Sequence, residues 1–282
     1  MDKLDKIIIL MNQSNMIKAT VGILTFNSAK YLYHCLNSVK KFNEILIIDG
    51  GSKDNTLKIA KKFKCKIKHQ PKKFKFNNNK ISDFSKLRNY ILKLSKNELV
   101  LFLDSDEFLN KSVLKKIDFY SKSKTSKKKY YSFLLGRFPI HKNKTIKQKT
   151  IFYPNYQERL FYKSNIKTFV KPVHERAIPK NKYLIKKKIE NASIIFPLDI
   201  NYQRIYKKCK YYFEIEKNMV SRKKFLNSLN FVTYRILVIM KYIYTGLFLR
   251  SKKLDKDFKN FENKLIKINI FFTLKLLFKT FS

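Results

Sequence analysis

The chain has 282 residues and a formal net charge of +43, from 63 Lys and Arg against 20 Asp and Glu. Residues 1–100, 101–200 and 201–282 carry +14, +15 and +14, an even spread that excludes a neutral domain with a basic tail, while 44% hydrophobic residues suit one large or two modest globular domains. Cys35, Cys65 and Cys209 are far apart and odd in number, which indicates neither a disulfide framework nor a zinc knuckle and fits a reducing compartment.

Residues 1–16 read as an N-terminal extension, and their apolar patch IIILM is too short for a signal core. From Ala19, ATVGILTF is a β-rich run, NSAKYLYHCLNSVKKF has helical spacing and EILIID is a second buried strand. GGSKDNT then predicts a turn and TLKIAKKFK a second helix. Strand, helix, strand, helix in about fifty residues predicts a parallel α/β layer. CKIKH follows as a third strand and KFKFNNNK as a polar loop, and SDFSKLRNYILKLSK reads as a helix capped by Ser82 or Asp83.

In ELVLFLDSDEFL, five of the six residues Leu99 to Asp104 are apolar and the run ends in acids, as in a strand buried on both faces. SKSKTSKKK (121–129) predicts a solvated loop and YYSFLLGRF another strand, and residues 151–178 alternate aromatic and polar, which predicts strands and loops covering a site. From Tyr202 the pattern is helical. The longest apolar stretch, Phe225 to Leu249, is interrupted by Arg235 and Lys241, so no bilayer-spanning segment is predicted.

Open α/β sheets bind ligands outside the carboxyl ends of their strands. Polar clusters stand at three such ends: Thr25 and Asn27 after the first strand; Asp49, Ser52 and Asp54 after the second; Asp104, Asp106 and Glu107 after the fourth. Two carboxylates two residues apart, as in Asp104-Ser105-Asp106, converge on one side and suit a hard divalent cation, Mg²⁺ or Mn²⁺, that also binds a diphosphate.

IKATVGILTFNSAKYLYHCLNSV, EILIIDGGSKDNTLKIAKKF and SDFSKLRNYILKLSKNELVLFLDSDEFL together resemble the nucleotide-sugar domain of family 2 glycosyltransferases, inverting enzymes of the α/β GT-A fold. The similarity runs from about Ile17 to Leu109. With QERLFYK and VHERA added, it extends to about Arg176 and resembles the lipopolysaccharide-core β-glucosyltransferases.

The resemblance implies a catalytic domain over 17–200, with donor half 17–110 and acceptor half 111–200, then a helical region over 201–282. It implies that Thr25, Asn27 and Asp49 line the nucleoside pocket, with Asp49 accepting the uracil N3 proton. Arg88 reaches the diphosphate, Asp83 touches the sugar or tethers Arg88, and Asp104 lies near the ribose or sugar. Asp104 and Asp106 hold the metal, with His174 as a further ligand or a contact to the leaving phosphate. Glu175 is the base, with Glu158 as the alternative, and Arg159 and Arg176 contact phosphate or acceptor, unless Arg159 pairs with the adjacent Glu158. The implied reaction moves a hexose, glucose first among candidates, from a UDP-sugar to an envelope glycan such as lipopolysaccharide core.

In the last segment Lys264, Lys267, Lys275 and Lys279 fall near one helical stripe, with Ile268, Phe272, Leu276 and Leu277 on other faces. That amphipathic pattern suits an anionic membrane surface or a helix packed on its own domain, and Tyr234, Tyr242 and Tyr244 suit an interface. The expected location is cytoplasmic, peripheral on the inner face of the cell membrane. Nucleotidyl transfer is disfavoured because ILTFNSAKYL holds no Gly-rich phosphate loop. A nucleic-acid-binding role leaves the ordered acids unexplained, and no specific nucleic-acid partner is expected.

Overall fold

Strand Ile17–Thr25 (β1) is buried at nearly every position, because it lies mid-sheet with helices on both faces. The computed structural model describes residues 16–76, 81–142, 144–147, 150, 155–218 and 225–281; all but the last residue of the N-terminal extension lies outside them. The chain divides into two compact units, Met1–Phe138 with Tyr156–Phe196, and Pro139–Asn155 with Pro197–Ser282. The second unit thus takes in residues that the sequence assigns to the acceptor half of the catalytic domain.

In the first unit β1 is followed by Ala29–Val39 (α1), Phe42–Asp49 (β2), Thr56–Lys62 (α2) and Lys66–His69 (β3). After them come Phe84–Leu94 (α3), Leu99–Asp104 (β4), Phe108–Leu109 (β5) and Lys111–Lys122 (α4). Lys124–Lys129 forms a short helix (α5) where a loop is expected: Ser123 caps it by accepting from the Ser126 N–H, and lysine is a good helix former. Strands Tyr130–His141 (β6), Lys144–Thr145 (β7), Tyr156–Tyr162 (β8), Ile166–Val170 (β9), Arg176–Pro179 (β10) and Ile185–Pro197 (β11) complete the β structure, with β7 and the last residues of β6 and β11 counted in the second unit. Strand β11 has no counterpart in the sequence reading.

The main sheet has the order β3-β2-β1-β4-β8-β6-β11-β5, with β7 beside β6. Its first four strands are parallel, and β8 runs antiparallel to both β4 and β6. This mixed sheet, parallel half first, carries two apolar layers. Val21, Ile23, Leu101 and Leu103 pack with Leu32 and Leu36 of α1 and Val113 and Ile117 of α4. Leu46, Ile48, Val100 and Phe102 point the other way, into a layer with Leu87 and Ile91 of α3. Gly22 lets α3 approach this closely, since a Cβ there would stand 2.5 Å from Ile91 Cγ2.

The second unit holds helices Tyr202–Lys217 (α6), Phe225–Tyr244 (α7) and Lys256–Phe281 (α8). Val232 and Leu276 form their core with Phe213, Phe231 and Leu277. Lys142 Nζ donates to Asp255 and Asp257, 3.0 Å from each carboxylate, beside the start of α8.

Candidate active site

The loop after β2 is built around one carboxylate. Asp49 is fully buried. Its Oδ1 accepts from the hydroxyls of Thr25 (2.8 Å) and Ser52 (2.6 Å), and its Oδ2 from the N–H groups of Gly51 and Ser52 at 2.8 Å each. Gly51 has φ +101°, a turn conformation that a side chain would strain. All four acceptor positions of Asp49 are taken, so contact with a nucleobase, the role expected for it, requires exchange of one of these bonds.

The neighbouring ends are tied to this loop. Asn27, exposed and left-handed at φ 48°, donates its N–H to Ser52 Oγ and accepts from the Lys53 N–H at 2.8 Å. Asp54 accepts from the N–H groups of Thr56 and Ala29. Ser105, inside the DSD tripeptide, donates to Ser28 Oγ at 2.9 Å. The three polar clusters seen in sequence thus form one connected surface at the carboxyl ends of β1, β2 and β4.

Burial alone would raise the pKa of Asp49. The bonds from the Ser52 hydroxyl and N–H, then Thr25 and Gly51, outweigh that and hold it below its ordinary value. A group with a depressed folded pKa contributes stability above its unfolded pKa of about 3.9, lost as pH falls through the folded value. Asp49→Asn, which turns one acceptor toward donors, is expected to cost about 1–3 kcal/mol at neutral pH. In urea titrations the gap to wild type should close below about pH 4.

At the end of β4 the acids are already engaged. Arg159 donates from Nη2 to Asp104 Oδ2 at 2.8 Å and to Glu107 Oε1 at 3.0 Å, and from Nη1 to Asp104 Oδ1 at 3.3 Å. Arg137 Nε binds the same Glu107 oxygen at 2.5 Å, with its guanidinium 3.6 Å from the centre of the Phe196 ring. Glu107 is fully buried, and its other oxygen accepts from the Asp104 N–H. Desolvation pulls the Asp104 pKa upward, but the guanidiniums of Arg159, Arg137 and Arg88 together hold it well below the carboxylate range.

Arg159 reaches this cluster through a slip in pairing. Phe133 lies opposite Leu160, yet the next residue, Leu134, lies opposite Glu158. Arg159 is therefore the extra residue of a β-bulge, a feature that re-aims a side chain. Glu158 instead accepts from Ser132 and from Lys186 at 2.8 Å. The pairing of Arg159 with its neighbour Glu158 does not occur, because adjacent strand residues face different ways.

Arg88 and Glu175, expected in separate roles, form one ion pair, Nε to Oε1 at 2.8 Å. The Arg88 guanidinium also lies 4.8 Å from the centre of the Phe102 ring. Asn89 positions the partner segment by exchanging two bonds with the Phe169 backbone, 2.7 and 2.9 Å long. Asp83 caps α3 by accepting from the Lys86 N–H and the Ser85 hydroxyl, and among the described residues no arginine pairs with it. His174, left-handed at φ 52°, and Arg176 are both exposed on either side of Glu175. Arg137 and Asn89 have no place in the sequence reading.

Of the two carboxylates expected to hold a metal, Asp104 is already paired with an arginine. Both oxygens of Asp104 face Arg159, and among the described residues no three His, Cys, Asp or Glu side chains gather to hold a metal, so His174 joins no such set. Asp106, two residues on, is partly buried and supplies a further carboxylate to this end of β4. Mg²⁺ needs no more from a protein, because one carboxylate with substrate phosphates and water completes its shell.

Comparison with known proteins gives the family of the chain. Over 106 residues the chain is 36% identical to the poly(ribitol-phosphate) β-N-acetylglucosaminyltransferase TarS of Staphylococcus aureus, covering 36% of this chain and 18% of that protein. It is 37% identical over 93 residues to the glycosyltransferase SunS of Bacillus phage SPbeta, covering 33% of this chain and 21% of that one. The matched part is thus about a fifth of each relative's length. An uncharacterized glycosyltransferase of Rickettsia conorii is 22% identical over 253 residues, 84% of this chain and 85% of that protein. The structure of S. aureus TarS 1–349 in complex with UDP-GlcNAc is similar with a TM-score of 0.47 and 16% identity, over 92% of this chain and 91% of that chain. Residues 20–184, more than half of the chain, match the sequence model of glycosyl transferase family 2. They hold both the Asp49 loop and the arginine–carboxylate cluster, and the chain belongs to glycosyl transferase family 2.

Proposed function

We propose that the chain transfers a hexosyl unit, with inversion, from a UDP-sugar to a hydroxyl of an envelope glycan. The observation that carries this reading is the placement of Arg159 and Arg88 beside Asp104 at the carboxyl end of β4, with Glu175 paired to Arg88, within the span that defines the family. Guanidiniums suit the diphosphate of a nucleotide-sugar, because a planar fork matches two phosphate oxygens.

Glu175 is the carboxylate assigned as base. Among the described residues Arg88 engages its Oε1 and no bond is made to Oε2, which leaves Oε2 for an acceptor hydroxyl, whereas Glu158 is committed to Ser132 and Lys186. Arg88 fixes the orientation of Glu175, and orientation supplies a large part of the rate in such a transfer. Asp106 would hold Mg²⁺ or Mn²⁺, which supplies countercharge to a departing diphosphate.

The test is UDP release by the purified full chain with UDP-glucose, UDP-galactose and UDP-GlcNAc, followed by anomer analysis of the product. UDP-GlcNAc belongs in the panel because the relative TarS is named an N-acetylglucosaminyltransferase. One donor should support turnover that depends on an added envelope glycan fraction and yields inverted product. Turnover with none of the donors, or a product of retained configuration, overturns the proposal.

A further inference from the structure

Helix α7 and the π-type turn Thr245–Leu249 that follows it present two unlike faces. Inward lie Val232, Arg235 and Ile239, spaced three and four residues apart as one helical stripe requires. Arg235, one of the two charges that break the apolar run in sequence, spends its charge inside the helical unit. Its Nη1 meets both oxygens of the fully buried Glu216 at 2.5 and 2.6 Å, and its Nε donates to Thr273 of α8 at 3.1 Å.

Outward, Tyr234, Leu237, Met240, Tyr244, Leu247 and Phe248 recur at helical spacing and are all exposed, Leu247 and Phe248 by 72% and 71%. Against the sequence expectation, Leu229–Leu249 is by length and composition apolar enough to cross a membrane, and only 17% of its most apolar stretch is buried. A patch of this size and continuity is uncommon on a monomeric surface and marks an interaction site.

We infer that this face docks on an anionic lipid bilayer, lying in the headgroup plane. Charge chooses the occupant. Residues 201–282 carry +14, and Lys241, Lys252 and Lys253 are exposed within or just beyond the patch. A second copy of the chain would bring the same sign of charge against it, whereas anionic headgroups bring the opposite sign, worth about 1 kcal/mol for each lysine near the surface. Lys241 sits in the apolar face as a snorkelling residue can, stem in the hydrocarbon and ammonium among headgroups. Tyrosines at Tyr234 and Tyr244 suit the same depth.

The helix lies on the membrane and does not cross it. Its inward face is bound to α6 and α8, and those helices expose Lys207, Lys208, Lys264, Lys267 and Lys275. A spanning arrangement would carry these charges into hydrocarbon, at about 2.5–3.5 kcal/mol each on insertion scales.

Flotation of the full chain with vesicles of phosphatidylcholine and phosphatidylglycerol tests this, with pure phosphatidylcholine as reference. The chain should float with the anionic vesicles and be released by alkaline carbonate. Leu247→Ser with Phe248→Ser should weaken binding roughly tenfold or more, while Tyr183→Ser, an equally exposed aromatic of the first unit, should leave it unchanged. Because the chain contains no Trp, Phe248→Trp gives a single reporter whose emission should shift to the blue on the anionic vesicles. Failure of the wild type to float, unchanged binding by the double variant, resistance to carbonate or an unshifted Trp emission would each overturn the inference. So would a self-associated species that disappears in the double variant while vesicles capture neither form.

Discussion

Arg159→Met is expected to lower stability by about 3–5 kcal/mol, the range for removing one partner of a buried ion pair. The cost falls mainly on Glu107, which is fully buried and shares its Oε1 between Arg159 and Arg137. Asp104 contributes less, since half of its side chain is exposed and water can replace the lost guanidinium. Urea titration measures the loss, and a cycle with Glu107→Gln identifies its origin. If the penalty is an unpaired buried charge, the double variant should be markedly more stable than the sum of the singles predicts. Additive losses would place the cost elsewhere. Arg159→Lys keeps the charge but not the fork, and should recover more stability than donor turnover.

Glu175→Gln is expected to reduce kcat by about 10²–10⁴-fold with little change in the donor KM, the range for losing a positioned general base. The amide is nearly isosteric and its oxygen can still accept from Arg88, so the fold and the Arg88 position should persist. Glu158→Gln is the matched comparison. Its carboxylate is held by Ser132 and Lys186, and that variant should retain near wild-type kcat. Full activity in Glu175→Gln, or a larger loss at Glu158, would reassign the base.

Much of the first unit is legible from order and periodicity. An apolar run ending in Asp49 or Asp104 identifies both a strand and which of its ends is chemical, and helix α3 announces itself by an Asp83 cap. What pairs with what at those ends is less legible. Arg88 and Glu175 lie 87 positions apart and meet because Asn89 binds the Phe169 backbone, a contact that spacing alone does not show. The Asp49 carboxylate looks the same in sequence whether or not its own loop binds it, and spacing alone does not show that Ser52, Gly51 and Thr25 donate to it. Arg137 does carry a signal. In a chain with only 8 Arg among 63 basic residues, at least half of the arginines hold buried or partly buried carboxylates, although Arg204 pairs on the exposed surface. Arg88, Arg137 and Arg159 hold theirs at one cluster and Arg235 holds Glu216.

The bulge at Arg159 makes the order of two letters matter more than their identity. Exchanging residues 158 and 159 would leave length, composition and net charge untouched. Yet it would set a guanidinium beside the Lys186 ammonium and a third carboxylate beside Asp104 and Glu107. One compensated pair would become two cations, and Arg137 would be left to face three carboxylates, in a chain that any count of its residues would call the same.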